Sequence, residues 1–406
     1  MQLREMDSYR GAGPGGITQV CGAVGSIDTR SDRNGDDPPR RAAAQTAPDG
    51  RHPARKLGLT LALTVLLFVC VELALQVRSH IRYGQSVFNA LTAETRYVEH
   101  PETGLQTLRP DHVFRGNQVE IRTNSLGLRS EPITVDKPPA TVRIAVVGAS
   151  TVMGAYAATN EETFSYRLEA LLDAGDKTTD FQVINAGIAG YDLHDQRRMI
   201  EKLILPFDVD LIVIYPGFND FAAYCRNDAA TATKAMERVG LPLLQSPEWL
   251  LSVELVRKNT VSLRTAPESG ATYIPAHGID LSPYRAKLDG LLAAAKATGA
   301  RVVIATNARA YRPEQALDEQ LRLSETARYY TPCFDISGLH TLYDRHNREI
   351  AAAAARHEVS LVPLGERIPG GRSYFVDASH FSSGGEQMAA EQLHRHFIDH
   401  ALIARD

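Results

Sequence analysis

The stretch RIAVVGASTVMG, Arg143–Gly154, decides how the rest of the chain is read. An apolar, β-branched run ends in a glycine, and Ser150 then opens a turn of small residues. Strand, glycine, serine is ordinary turn chemistry in α/β proteins, where the serine does no more than cap the next helix. The same arrangement also holds a nucleophilic hydroxyl at the end of a strand. What the other strand ends supply has to choose between the two.

Downstream the pattern repeats. FQVINAG, VDLIVIYPG, ARVVIATNA and VSLVPLG read as strands, separated by amphipathic stretches such as EETFSYRLEALLDA and SPYRAKLDGLLAAAKATG. The helical stretch GGEQMAAEQLHRHFIDHAL closes the series. Continuous β-branched runs alternating with helices predict an α/β fold, a parallel sheet covered on both faces. Ligands of such sheets bind beyond the C-terminal ends of the strands. This domain is expected over residues 141–402. An insertion at about 221–277 breaks its rhythm, carries Trp249 and several prolines, and is too long for a plain loop. Shaping substrate access and a purely structural role both stay open for it.

Four of the expected strand ends carry chemistry. They are Ser150; NAGIAG, Asn185–Gly190; PGFND, Pro216–Asp220; and RSYFVDASHFSSGG, which holds Asp377 and His380 just before the final helix. Acyl transfer by serine needs an imidazole to take the hydroxyl proton, an acceptor to orient the imidazole, and donors aimed at the oxyanion. His380 and Asp377 can supply base and acceptor from one loop. Gly190 can offer a backbone N–H with no side chain in the way, and Asn219 a side-chain amide. Each has an ordinary alternative: a turn glycine, an asparagine bonded to its own backbone, an Asp377 or Ser379 that caps the last helix. Independent turns have no reason to supply the full set in this order.

The set resembles the SGNH/GDSL hydrolase superfamily, whose four blocks contribute Ser, Gly, Asn and His. Here VVGASTVMG resembles the first block, NAGIAG the second, PGFND the third and DASHF the fourth, over about Thr141 to Leu402. The resemblance implies a flavodoxin-like, three-layer α/β/α sandwich on a parallel sheet. It implies Ser150 as nucleophile, His380 as base and Asp377 as its orienting partner, with the Ser150 N–H, Gly190 and Asn219 forming the oxyanion hole. It implies no cofactor and no metal, and carboxylic esters, with acylated glycans or short acyl lipids as substrate partners. One departure stands out: the usual Gly-Asp-Ser is Gly148-Ala149-Ser150. Alternatives within the same site are a lysophospholipase or thioesterase, or an O-acyltransferase. A non-catalytic protein of envelope-polysaccharide binding or assembly, with a relic site, is the reading from another class.

Upstream of this domain the chain changes character. Residues 1–56, rich in Gly, Pro, Asp, Arg and Ala without apolar period, are expected to be disordered. They contain GAGPGG, which matches G-x-G-x-x-G in letters but lacks the flanking strand and helix that a dinucleotide site requires. LGLTLALTVLLFVCVELALQV, residues 57–77, has the length of a membrane-spanning helix, with Glu72 as its one charge. A cleaved signal peptide is the rival reading; the distance from Met1 and the lack of a clear cleavage site speak for an uncleaved anchor. Arg40, Arg41, Arg51, Arg55 and Lys56 precede the span, against Arg78 and Arg82 after it, so the N-terminus is expected inside and the body outside the cytoplasm, in the periplasm. Residues 78–140 read as a juxtamembrane segment.

Composition limits the partners. A net charge of -4, with 44 Lys and Arg that form no basic block, gives no reason to expect nucleic acid. Cys21, Cys70, Cys225 and Cys333 show no zinc spacing. Cys225 and Cys333 either pair, in an oxidising compartment, or remain two partly buried thiols.

Overall fold

The computed structural model describes residues 52–83, 96–116, 118–225, 250–252 and 273–403. The tail up to residue 51 and most of the insertion, with Trp249, lie outside the described residues. The chain divides into two units, Met1–Leu59 and Thr60–Asp406. The first is described only from residue 52, where it is helical.

A helix runs from His52 to Tyr83. Its segment Arg55–Ile81 is, by length and composition, long and apolar enough to cross a membrane. Glu72 is buried: its carboxylate accepts from the Leu251 N–H at 3.0 Å, the Ser252 N–H at 2.8 Å and Gln76 Nε2 at 2.6 Å. The one acid of an otherwise apolar run is thereby met by two backbone N–H groups and one side-chain amide.

Four short strands follow, β1 (Tyr97–Glu99), β2 (Gln106–Leu108), β3 (Val113–Arg115) and β4 (Glu120–Arg122), paired as two antiparallel hairpins. The main sheet consists of β5 (Thr141–Gly148), β6 (Asp180–Gly187), β7 (Leu211–Tyr215), β8 (Arg301–Ala305) and β9 (Ser360–Val362). All are parallel, in the order β6-β5-β7-β8-β9. This is the 2-1-3-4-5 order of doubly wound sheets, and its switch point lies between the first and third strands, β5 and β7.

Alternate residues of each strand feed two separate cores. Ile144, Val146, Leu211, Val213 and Val303 pack with Phe164, Leu168, Leu393 and Phe397 on one face. Ala145, Val147, Ile212, Ile214 and Ile304 pack with Leu288, Leu291, Leu292 and Ile350 on the other. Both faces therefore carry helices, Phe164–Gly175 and Ser383–Asp399 on the first, Leu193–Met199 and Ser282–Ala297 on the second. That is why every residue of β5 is apolar or buried and none alternates to solvent. Leu105, Leu108, Phe114, Ile121 and Leu128 join the second core, so the stretch before β5 is packed against the α/β body.

Cys225, ten residues after β7, forms a disulfide with Cys333, 108 positions further on. The Ile274 N–H donates to the Cys333 carbonyl at 2.9 Å. The described chain on either side of residues 226–273 thus meets at one residue.

Candidate active site

Strand β5 ends at Gly148, in register with Gly187 of β6 and Tyr215 of β7. Ser150, Gly190 and Asn219 therefore follow three adjacent strand ends by two to four residues, at the switch point of the sheet. Ser150 begins a single helical turn, Ser150–Met153. That turn lies hard against the end of β6: a Cβ on Gly187 would come within 2.2 Å of the Met153 nitrogen, so only glycine permits this approach.

Ser150 Oγ is 2.8 Å from His380 Nε2, and His380 Nδ1 is 2.8 Å from Asp377 Oδ2. The other carboxylate oxygen, Asp377 Oδ1, accepts from the Ser379 N–H at 3.0 Å and the His380 N–H at 2.9 Å. Acid and base thus share one closed turn, pinned further by the Val376 N–H on the His380 carbonyl at 2.9 Å. Asp377 does not cap the last helix; Ser382 does, through the Gly385 N–H. Burial opposes ionisation of Asp377, yet the His380 ring and the two backbone N–H groups together hold its carboxyl below the usual value. Tyr156 packs its ring edge-on to His380, centroids 5.3 Å apart.

Gly190 is exposed and has φ +88°, a conformation that L side chains rarely adopt. Asn219 does not bond its own backbone. Its Nδ2 donates to the Tyr191 carbonyl at 2.8 Å, tying the Asn219 turn to the Gly190 loop and committing one of its two N–H groups. Gly217, at the base of the same turn, is held from both sides by Asn307, whose Oδ1 accepts from Gly217 N at 2.8 Å and whose Nδ2 donates to Gly217 O at 3.0 Å.

Two cations complete the surroundings. Arg129 comes from the stretch before β5 and is 1% exposed. It donates to Asn160 Oδ1 at 2.9 Å and to the carbonyls of Gly154 at 2.5 Å, Met153 at 3.4 Å, Ala157 at 3.0 Å and Glu120 at 3.0 Å. It thereby holds the chain that leaves the Ser150 turn and carries Tyr156. Lys287 lies on the far side, between Asp192 and Asp220. Sequence reading missed Arg129, Lys287, Asp192, Asp220 and Asn307; the adjacency of Asp220 to Asn219 was the only local signal. Among the described residues, no three His, Cys, Asp or Glu side chains are grouped as a metal ion would need.

Ser150, His380 and Asp377 form one hydrogen-bonded chain, and Gly190 and Asn219 are joined through Tyr191. Chemically, the chain can move a proton from a hydroxyl to an imidazole backed by a carboxylate.

No family model and no curated protein matches the chain. Among solved structures it is similar to LAE5, an alpha/beta hydrolase enzyme from the metagenome of Lake Arreo, Spain, at 14% identity and a TM-score of 0.39, covering 65% of this chain and 97% of that one. It is similar to Axe2, an acetylxylan esterase from Geobacillus stearothermophilus, at 15% identity and a TM-score of 0.38, covering 63% and 93%. A member of the lipolytic protein G-D-S-L family from Veillonella parvula gives 15% identity and a TM-score of 0.37, covering 64% and 99%.

Proposed function

We propose that this chain is a serine ester hydrolase of SGNH/GDSL type, anchored in a membrane by its apolar helix, with its α/β body outside the cytoplasm. The observation that carries the reading is the chain of two 2.8 Å contacts from Ser150 Oγ through His380 to Asp377. In this reading His380 Nε2 takes the hydroxyl proton while Asp377 accepts Nδ1–H, which fixes the tautomer and supports the imidazolium as it forms. Ser150 Oγ bonds to the ester carbon, and the carbonyl electron pair moves onto oxygen. The Ser150 N–H, the Gly190 N–H and the second N–H of Asn219 receive that oxyanion. Collapse expels the alcohol with the proton from His380, and water then repeats the sequence on the acyl-enzyme. The substrates are carboxylic esters, with O-acetyl groups on glycans preferred because of the placement outside the cell membrane.

The Cys225–Cys333 disulfide supports that placement, since disulfides persist in oxidising compartments. The charge bias across the span supports the same orientation.

The test uses the full chain in detergent and a fluorophosphonate probe, with the labelled residue mapped by mass spectrometry. Labelling at Ser150 that disappears in His380→Ala is the expected result. A folded protein that stays unlabelled overturns the hydrolase reading. Ser150→Ala is expected to abolish ester turnover and leave the fold intact.

A further inference from the structure

Lys287 sits on the helix Ser282–Ala297, outside all the segments that carry the site residues. Its Nζ is 2.7 Å from Asp192 Oδ2 and 2.9 Å from Asp220 Oδ1. Each of these carboxylates is built into one of the two loops that bear the oxyanion donors. Asp192 follows Gly190 by two residues and caps the helix Leu193–Met199, accepting from the His194 N–H at 2.8 Å and the Asp195 N–H at 3.1 Å. Asp220 is next to Asn219, and its second oxygen reaches across to the Leu193 N–H at 3.1 Å. Gln196 Nε2 adds a parallel tie to the Pro216 carbonyl at 2.8 Å.

Two carboxylates that contact one ammonium group lie close enough to repel each other without it. Asp220 is also only 6% exposed, so its charge has little water to fall back on. The bridge therefore joins the two loops, beside the Asn219–Tyr191, Asp220–Leu193 and Gln196–Pro216 hydrogen bonds. We propose that Lys287 is the positioning residue of the oxyanion hole: bridging Asp192 and Asp220, its ammonium group holds the Gly190 loop and the Asn219 turn where both donors meet one oxygen. This rests on the hydrolase reading above. The other role open to such a bridge is stability alone, as the counter-charge of the buried Asp220.

The two roles separate in kinetics. An oxyanion hole that loses its spacing lowers kcat with little change in KM, and weakens inhibitors that bind as tetrahedral oxyanions by the same factor. The experiment takes the full chain in detergent and measures kcat and KM on p-nitrophenyl acetate and Ki for a trifluoromethyl ketone. Lys287→Met is expected to lower kcat about 10- to 100-fold, keep KM within about twofold and raise Ki in proportion. Lys287→Arg, which can still span two carboxylates, is expected to recover most of the loss.

Because Lys287→Met leaves Asp220 without its counter-charge, the double variant Asp220→Asn/Lys287→Met is measured beside it. It removes both the orphaned charge and the repulsion between the carboxylates, and is expected to regain thermal stability while kcat recovers only in part, since no bridge then joins the two loops. A kcat within about threefold of the wild type in Lys287→Met, or a fall in kcat with Ki unchanged in either variant, overturns the positioning role. Wild-type protein that neither labels at Ser150 nor hydrolyses the ester fails earlier, and overturns the hydrolase reading on which the proposal stands.

Discussion

Arg129 and Lys287 each fasten one half of the site, and they do so with different electrostatics. Arg129 has no carboxylate within ion-pair distance among the described residues; its donors end on four backbone carbonyls and one amide oxygen. Lys287 is 38% exposed and ends on two carboxylates. Backbone dipoles neither titrate nor draw counter-ions, whereas carboxylates do both. The Ser150 half is thus held by a buried fork, and the Gly190–Asn219 half by a bridge that solvent can reach. The cost falls on Arg129: burial pushes its pKa down to about 10, against the pull of Glu386.

The largest effect expected from this contrast is on stability. Arg129→Met takes donors from several buried carbonyls, at about 1–3 kcal/mol for each acceptor left unmet. Denaturant unfolding is expected to show a total loss of about 3–5 kcal/mol, with Arg129→Lys recovering less than half, because an ammonium group cannot reproduce the fork. A stable, active Arg129→Met would mean that the Ser150 turn holds itself.

The Gly190–Asn219 half is broken more directly at Asn219, the proposed oxyanion donor. Asn219→Ala is expected to lower kcat about 10²- to 10³-fold with the fold intact, and a loss below about threefold would return Asn219 to a turn role.

A smaller effect concerns pH. Glu386, fully buried near Arg129, accepts from the Phe164 N–H at 2.7 Å, and burial raises its pKa from 4.5 to about 8. The folded chain keeps this proton where the unfolded chain has lost it. Stability from this group is therefore complete below pH 4.5 and declines as pH rises towards about 8, by up to about 1.4 kcal/mol per unit. Glu386→Gln is expected to flatten that slope in unfolding measured across the same window; an unchanged slope assigns the decline elsewhere.

Salt gives the smallest effect. Raising sodium chloride to about 0.5 M is expected to lower kcat less than about fivefold through the half-exposed Lys287 bridge. Lys287→Met should be indifferent to salt, and a wild type equally indifferent would show the bridge to be as sheltered as Arg129.

What could be read from the sequence follows from distance along the chain. Ser150, Gly190, Asn219, Asp377 and His380 each stand a few residues beyond an apolar run or before a final helix, so local pattern exposes them. The α/β fold was legible for the same reason, since strands buried on both faces announce themselves as continuous apolar runs. Lys287 acts 67 and 95 positions from its partners, and Asn307 acts 90 from Gly217. No periodicity spans such separations. Arg129 was hidden differently. Its stretch folds as three-residue strands, too short to print an alternating pattern, and reads as a connector until its side chain is seen under the Ser150 turn.

The junction at Cys333 has a consequence for how this chain can change. With Cys225 bonded to it and Ile274 resting on its carbonyl, the stretch between enters and leaves at one fixed point. Closing such a loop depends on its length only weakly, about 0.6 kcal/mol for each doubling. The sheet therefore sees little of that length, and a segment grafted between residues 226 and 273 has one further demand to meet, the two N–H groups that Leu251 and Ser252 give to Glu72.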